Sequence, residues 1–165
     1  MNIPIKVYGV VSDPNTEARI VILKGEQDTE LLPIWVGASE GNSICFALEG
    51  IAPSRPMTHD LLKNLLGYLD VQVEKVVIHD MNNSTYFATI DLVRKPKIEI
   101  SQEGISSPPY PLQELTIDAR PSDAIALALR MDVPIYVSEE LLQKYGSGRL
   151  DAWLSRLKPK DVGGA

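Results

Sequence analysis

The chain has 165 residues, 44% of them hydrophobic and 23% charged, enough to bury one core in one domain. Its formal charge is -6 and its pI about 4.9, so it lacks the basic footprint of a protein that grips nucleic acid broadly, and any such contact must be local. The single cysteine, Cys45, excludes an intramolecular disulfide and a cysteine zinc site. No run approaches the ~20 apolar residues of a membrane span, and MNIPIKVYGVV lacks the basic start and apolar stretch of a signal peptide. These features predict a cytoplasmic protein that makes no membrane contact.

In chain order, residues 3–11 read as a strand, and 18–24 and 30–36 as two more joined at residues 25–28. The period then changes. Ser39 is a candidate helix cap, Ile44, Ala47, Leu48 and Ile51 follow at helical spacing, and Gly50 and Pro53 end the helix. Thr58 is a candidate cap for a second helix whose Leu61, Leu62, Leu65, Leu66 and Leu69 form one wide apolar stripe. Residues 71–80 and 84–93 read as a hairpin around Met81-Asn82-Asn83. Residues 94–113 are rich in Pro, Ser and Gly and predict an exposed loop or arm, although KIEIS can extend a strand. A strand over 114–119, a helix over 122–131 and a short strand over 134–137 follow, and Ser138-Glu139-Glu140 opens a last amphipathic helix. Hairpins with interspersed helices predict a single α+β domain with a mixed, largely antiparallel sheet and three to four packed helices. Residues 1–140 form the domain in this reading, and 141–165 the last helix and a flexible tail.

Two Arg-Pro turns carry the chemistry: Arg55-Pro56-Met57-Thr58-His59-Asp60 and Arg120-Pro121-Ser122-Asp123. Proline steers the preceding arginine away from helical geometry, a hydroxyl can cap the helix, and an aspartate in the first turn suits the helix dipole. Ala124 through Leu129 cover nearly the whole circumference of the third helix, which predicts burial. Asp123 at its mouth then needs a partner, and Arg120 and Arg55 are the candidates. Glu40 falls on the inward side of the first helix and calls for an arginine, a metal or a function. His59 fits either a half-buried first-turn histidine or a general base, and Asp118 either a strand terminator or a metal ligand beside Asp123. His79-Asp80 reads as a turn, and Trp35, Phe46 and Cys45 as core. No glycine-rich phosphate loop, no HExxH and no nucleophile triad declares itself.

LPIWVGASEGNSICFALEG (32–50), RPMTHDLLKNLL (55–66), VEKVVIHDMNNSTYFATIDL (73–92) and IDARPSDAIALALRMDVPIYV (117–137) occur in this order. Together they resemble the bifunctional nuclease domain (DUF151) family over about residues 3–140. The resemblance implies an α+β fold, a homo-oligomer (dimer or trimer) and, from the plant members, a nuclease acting on DNA and RNA; many bacterial members are uncharacterised. Its motif residues here are Glu40, Arg55, Pro56, Thr58, His59, Asp60, Asp118, Arg120, Pro121, Ser122 and Asp123. The 94–113 segment is longer than the family's usual connection, and LDAWLSRLKPKDV leaves no room for the UvrB/UvrC-like module that some members carry.

On that resemblance the expected activity is phosphodiester hydrolysis. Glu40, Asp60, Asp118 and Asp123 are the candidate catalytic carboxylates, with Asp118 and Asp123 as candidate ligands of Mg²⁺ or Mn²⁺. His59 is the candidate acid or base, and Arg55, Arg120, Thr58 and Ser122 are the candidate substrate-binding residues. The physics of the residues also accommodates a non-catalytic, homo-oligomeric binding or regulatory domain in which the Arg-Asp motifs are structural.

Overall fold

In Arg19–Gly25 the apolar residues do not alternate with polar ones, and Ile20, Val21, Ile22 and Leu23 are all buried, as in a strand covered on both faces. The computed structural model describes residues 1–26, 30–95, 100–105, 111–146, 152 and 155. Its elements are β1 (Asn2–Ser12), β2 (Arg19–Gly25), β3 (Leu31–Val36), α1 (Ala38–Glu49), α2 (Thr58–Tyr68), β4 (Val71–Asn82), β5 (Thr85–Arg94), β6 (Ile100–Ser101), β7 (Gly104–Ile105), β8 (Gln113–Ala119), α3 (Pro121–Met131), β9 (Ile135–Ser138) and α4 (Glu139–Tyr145). Among the described residues, seven strands form one mixed sheet in the order β3-β2-β1-β9-β4-β5-β8, and β6 and β7 pair separately. Only the β4–β9 pairing in the large sheet is parallel. The α+β class and the largely antiparallel sheet are therefore as expected.

The parallel pairing follows from α3. The chain leaves the edge strand β8, crosses β5 and β4 as α3, and re-enters the sheet as β9 beside β4. Ala124, Ile125, Ala126, Leu127 and Ala128 are buried against Ile90, Leu92 and Val76 in the main core. Ala124 and Ala128 share one side of α3 and Ala126 takes the opposite one, so small side chains let the helix sit close to its neighbours on both sides.

The helix starts differ from the expected ones. The caps are Gly37, Met57 and Arg120, and none of them makes a side-chain cap bond. Ser39, Thr58 and Ser122 instead lie inside their helices. Pro121 takes the first position of α3, where its fixed φ and missing N–H cost nothing. The β4–β5 turn also falls one residue later than expected: Met81 pairs with Tyr86, and Asn83 and Ser84 form the turn with φ of 49° and 61°. Ser138 caps α4 by accepting the Leu141 N–H, and Leu141 and Leu142 belong to the core, so α4 is packed onto the domain. In the 94–113 segment the described part contains the short β6–β7 pair; residues 96–99 and 106–110, like the tail beyond 155, lie outside the described residues.

Burial differs in several places, and Cys45 and Phe46, expected in the core, are only partly buried. On α1 the covered face is Gly41, Ser43 and Ile44, while Leu48 and Ile51 are exposed. Trp35, expected in the core, is about half exposed and donates its indole N–H to Asp13. On α2 only Leu66 of the leucine stripe packs against the core; Leu61, Leu62, Leu65 and Leu69 are 40–60% exposed.

The close seating of α3 gives a direct test. Ala126 is fully buried, so Ala126→Leu must find room for added carbon atoms and should lower stability by about 1–3 kcal/mol in denaturant unfolding. A variant as stable as the parent would show that α3 has room to spare.

Candidate active site

Among the described residues the three long helices begin alike. The third residue after each cap position is an acid: Glu40 after Gly37, Asp60 after Met57 and Asp123 after Arg120. A carboxylate there meets the positive end of the helix dipole. At α2 the acid closes back on its own cap, with Asp60 Oδ2 accepting the Met57 N–H at 2.9 Å. At α1 the Glu40 carboxylate folds over Gly37, where a Cβ would collide with it.

Asp123 joins the three helices. Its Oδ2 accepts from Arg120 Nε at 2.8 Å, and its Oδ1 from Arg120 Nη2 at 3.1 Å, the two-bond fork expected between guanidinium and carboxylate. The same Oδ1 lies 2.9 Å from Nε2 of His59 on α2. The other ring nitrogen, Nδ1, lies 2.6 Å from Oγ of Ser43 on α1. Arg120 Nη2 also reaches Glu40 Oε1 at 3.1 Å. A pocket of about 160 Å³ opens among these groups, lined by Ser39, Glu40, Ser43, Met57, Thr58, His59, Arg120 and Asp123. The first turns of α1, α2 and α3 thus surround one cavity.

Burial grades sharply across the cluster. Ser43 and His59 are 3% and 6% exposed, the Asp123 side chain 32% and the Arg120 side chain 64%. The Arg120–Asp123 pair therefore stands at the lip of the cavity rather than in a dry interior. Burial pushes the Asp123 carboxyl up, but Arg120 and His59 outweigh it and hold the group below its ordinary value. Asp123 is thus an acceptor at neutral pH. It stands at hydrogen-bond distance from His59 Nε2, and with the ring hydrogen on that nitrogen the Nδ1 lone pair faces the Ser43 hydroxyl.

The candidate residues divide into two groups. Glu40, Thr58, His59, Arg120 and Asp123 come together at the pocket. Asp60 does not: its Oδ1 accepts from Arg130 Nε at 2.8 Å, and that bond, with the Met57 N–H, lowers its pKa. Arg130 is buried and also donates to the Ala126 carbonyl, so Asp60 anchors α2 to α3. Asp118 is exposed on β8 opposite Thr89, and strand alternation points it away from the helix-covered face that Ile117 and Ala119 share with Ile90 and Ala88. Arg55 is exposed outside the pocket lining, and Ser122 is buried away from it. At the hairpin, His79 is exposed and Asp80 accepts the Met81 N–H. Ser43 was not singled out in the sequence, although it sits three residues after Glu40, on the same side of the helix.

Glu40, His59 and Asp123 are donor types that a divalent ion accepts, but their arrangement does not fit one. The Arg120 guanidinium lies between the two carboxylates, and both Asp123 oxygens already accept from cationic or ring N–H groups. Among the described residues no three His, Cys, Asp or Glu side chains are gathered for a metal, and Asp118 is remote from Asp123's face of the sheet.

Residues 21–148 match the model of the bifunctional nuclease domain. An uncharacterized protein of Mycobacterium tuberculosis is 33% identical over 142 residues, covering 86% of this chain and 75% of its own length. Bifunctional nuclease 1 of Oryza sativa subsp. japonica is 30% identical over 127 residues, and bifunctional nuclease 2 of Arabidopsis thaliana 28% over 145. These alignments cover 76% and 87% of this chain but only 34% and 40% of the plant proteins. The chain belongs to the bifunctional nuclease domain family.

Three stability tests separate the anchors. Asp60→Ala strands the buried Arg130 guanidinium and should cost up to about 3 kcal/mol, the low end for a broken buried pair because Asp60 itself is partly wet. Because its folded pKa is depressed, Asp60 stabilises the fold fully above the unfolded carboxyl value of about 3.9 and loses that effect as pH falls through the folded value. Denaturant titrations from pH 7 to pH 3 should therefore show a shallower acid loss in Asp60→Asn than in the parent; equal slopes would contradict the anchor. Asp123→Ala leaves the buried His59 Nε2–H without an acceptor and should cost about 1–3 kcal/mol, and an unchanged melting temperature would rule that bond out.

Proposed function

We propose that this protein is a phosphodiester hydrolase cutting DNA and RNA, with the pocket between the starts of α1, α2 and α3 as its active site. The observation that carries this reading is the placement of Arg120 where three helix N-termini meet. One guanidinium against Glu40 and Asp123 leaves an excess negative charge. Three helix ends, each worth roughly half a positive charge, more than offset it. Arg120 Nη1 takes part in none of the bonds to Glu40 and Asp123, and so presents two N–H groups to an entering phosphate.

Size narrows the substrate. About 160 Å³ holds a phosphate group but is well below the ~300 Å³ lower bound of pockets that enclose a drug-sized ligand. The backbone phosphate enters while the bases stay outside. Weak sequence preference and action on both nucleic acids follow from this, and a local site of this kind suits an acidic chain.

The test uses single-stranded DNA and RNA oligonucleotides, each assayed with Mg²⁺, with Mn²⁺ and with EDTA. Arg120→Ala should abolish most cleavage, and Arg120→Lys should restore little because an ammonium cannot fork between carboxylate and phosphate. Cleavage by Arg120→Ala at the parental rate would refute the proposed site.

The exposed leucines of α2 favour a homo-oligomer, alongside catalysis or in its place as a binding domain. Leu61, Leu62, Leu65 and Leu69, joined by the exposed Tyr68, make an apolar face larger than isolated surface hydrophobics account for. Light scattering should give the parent a mass at least twice the 18.2 kDa of one chain, and Leu65→Glu should shift it towards one chain. A monomeric parent would exclude assembly through this face.

A further inference from the structure

Both ring nitrogens of His59 are occupied, one by Asp123 and the other by Ser43, and the ring is buried. The imidazole therefore cannot take a proton directly from a free water attacking a bound phosphodiester. A proton reaches it through one of its two neighbours. Asp123 is an ionised acceptor held by Arg120, so it has no proton to give. Ser43 has one, lies 2.6 Å from Nδ1 and lines the same pocket as Arg120.

A nucleophile hydrogen-bonded to a base, with the base oriented by a third group, is the general pattern of an activated hydroxyl. Ser43, His59 and Asp123 meet each part of it, drawn from α1, α2 and α3 respectively. Here the serine faces Nδ1 and the aspartate Nε2, the reverse of the assignment in the familiar serine-protease triad, but the division of labour between the two nitrogens is unchanged. Ser43 and Arg120 both line the pocket.

We propose that Ser43 is the nucleophile of this site. The proposal rests on the phosphodiester reading above and deepens it. Ser43 Oγ attacks the phosphorus while its proton passes to His59 Nδ1, giving an imidazolium that Asp123 steadies. An O–P bond to Oγ forms, the P–O bond to one flanking sugar breaks in line with it on the opposite side of phosphorus, and the departing oxygen takes a proton from a solvent water, leaving hydroxide, while Nδ1 keeps the serine proton. That hydroxide then attacks the phosphoserine diester from the vacated side, and Oγ leaves with the proton from Nδ1. The products are one fragment with a terminal phosphomonoester and one with a free hydroxyl, and no oxidant, reductant or further co-reactant is consumed. Arg120 Nη1 holds the non-bridging oxygens throughout.

The experiment compares the full-length parent with Ser43→Ala on three substrates: single-stranded DNA, single-stranded RNA and bis(4-nitrophenyl) phosphate. Rapid acid quench and intact-mass measurement on the last probe look for a 4-nitrophenyl phosphoryl adduct, and peptide mapping locates it. The expected result is an early release of nitrophenolate stoichiometric with protein and an adduct on the Ser43 peptide. Ser43→Ala, checked by thermal melt, should show neither and should cut nucleic acid more than about a hundredfold more slowly. Parental cleavage of DNA and RNA by Ser43→Ala overturns the nucleophile and leaves the nuclease reading standing. An adduct on Ser43 in a parent that cuts neither nucleic acid upholds the nucleophile and refutes the nuclease reading. A parent with no adduct on Ser43 overturns the proposal whatever the variant does, so the test does not depend on the variant folding.

Discussion

The carboxylate of Asp123 is where three helices are tied together. It accepts two hydrogen bonds from Arg120 at the start of its own helix and one from His59 on α2, and His59 in turn holds Ser43 on α1. These contacts join residues 16 and 64 positions apart in sequence. α3 packs chiefly through aliphatic side chains, which fix distance well and rotation poorly, and α1 and α2 cover few apolar residues, Ile44 and Leu66 among them. The polar chain supplies the rotation: it requires particular atoms at 2.6–3.1 Å, and so orients the first turns of α1, α2 and α3 around one pocket.

The same chain grades from wet to dry. Arg120 is mostly exposed, Asp123 is partly so, and His59 and Ser43 are buried. That gradient separates two jobs. The exposed end can meet a charged ligand, because its guanidinium keeps donors outside the ion pair. The buried end can hold a proton in one defined place, because neither ring nitrogen is open to solvent exchange of partners. Asp60 shows the contrasting use of the same position in a helix. Its carboxylate is spent on its own cap and on Arg130, so it contributes attachment of α2 to α3 and leaves nothing for a ligand.

Much of this was legible in the sequence, for identifiable reasons. The all-round apolar character of 124–129 pointed to the burial of α3, and the cation expected for Asp123 is Arg120, but the pair stands at the lip of the cavity and not in the dry setting that burial at the helix mouth implied. Glu40 needed an arginine by the same reasoning and shares that one. The caps were misread because Ser and Thr are good cap residues in general, whereas an acid at the third position and a proline at the first do that work here. The leucines of α2 show the limit of periodicity: it reports that a face is apolar, not whether the chain itself covers that face. Asp118 and Asp123 are five residues apart, but the intervening strand end and helix start turn them to different sides of the sheet. Ser43 was hidden by its ordinariness, since a serine inside a helix acquires meaning only when His59 is brought to it from another segment.

The direct test of the tie is the protonation pattern of His59, read from ¹⁵N chemical shifts and long-range ¹H–¹⁵N correlations of the imidazole in the folded protein near neutral pH. A neutral ring with its hydrogen on Nε2, facing Asp123, and a bare Nδ1 facing Ser43 is the expected outcome. A hydrogen fixed on Nδ1 with Nε2 bare would place the imidazole in the opposite tautomer and contradict the account.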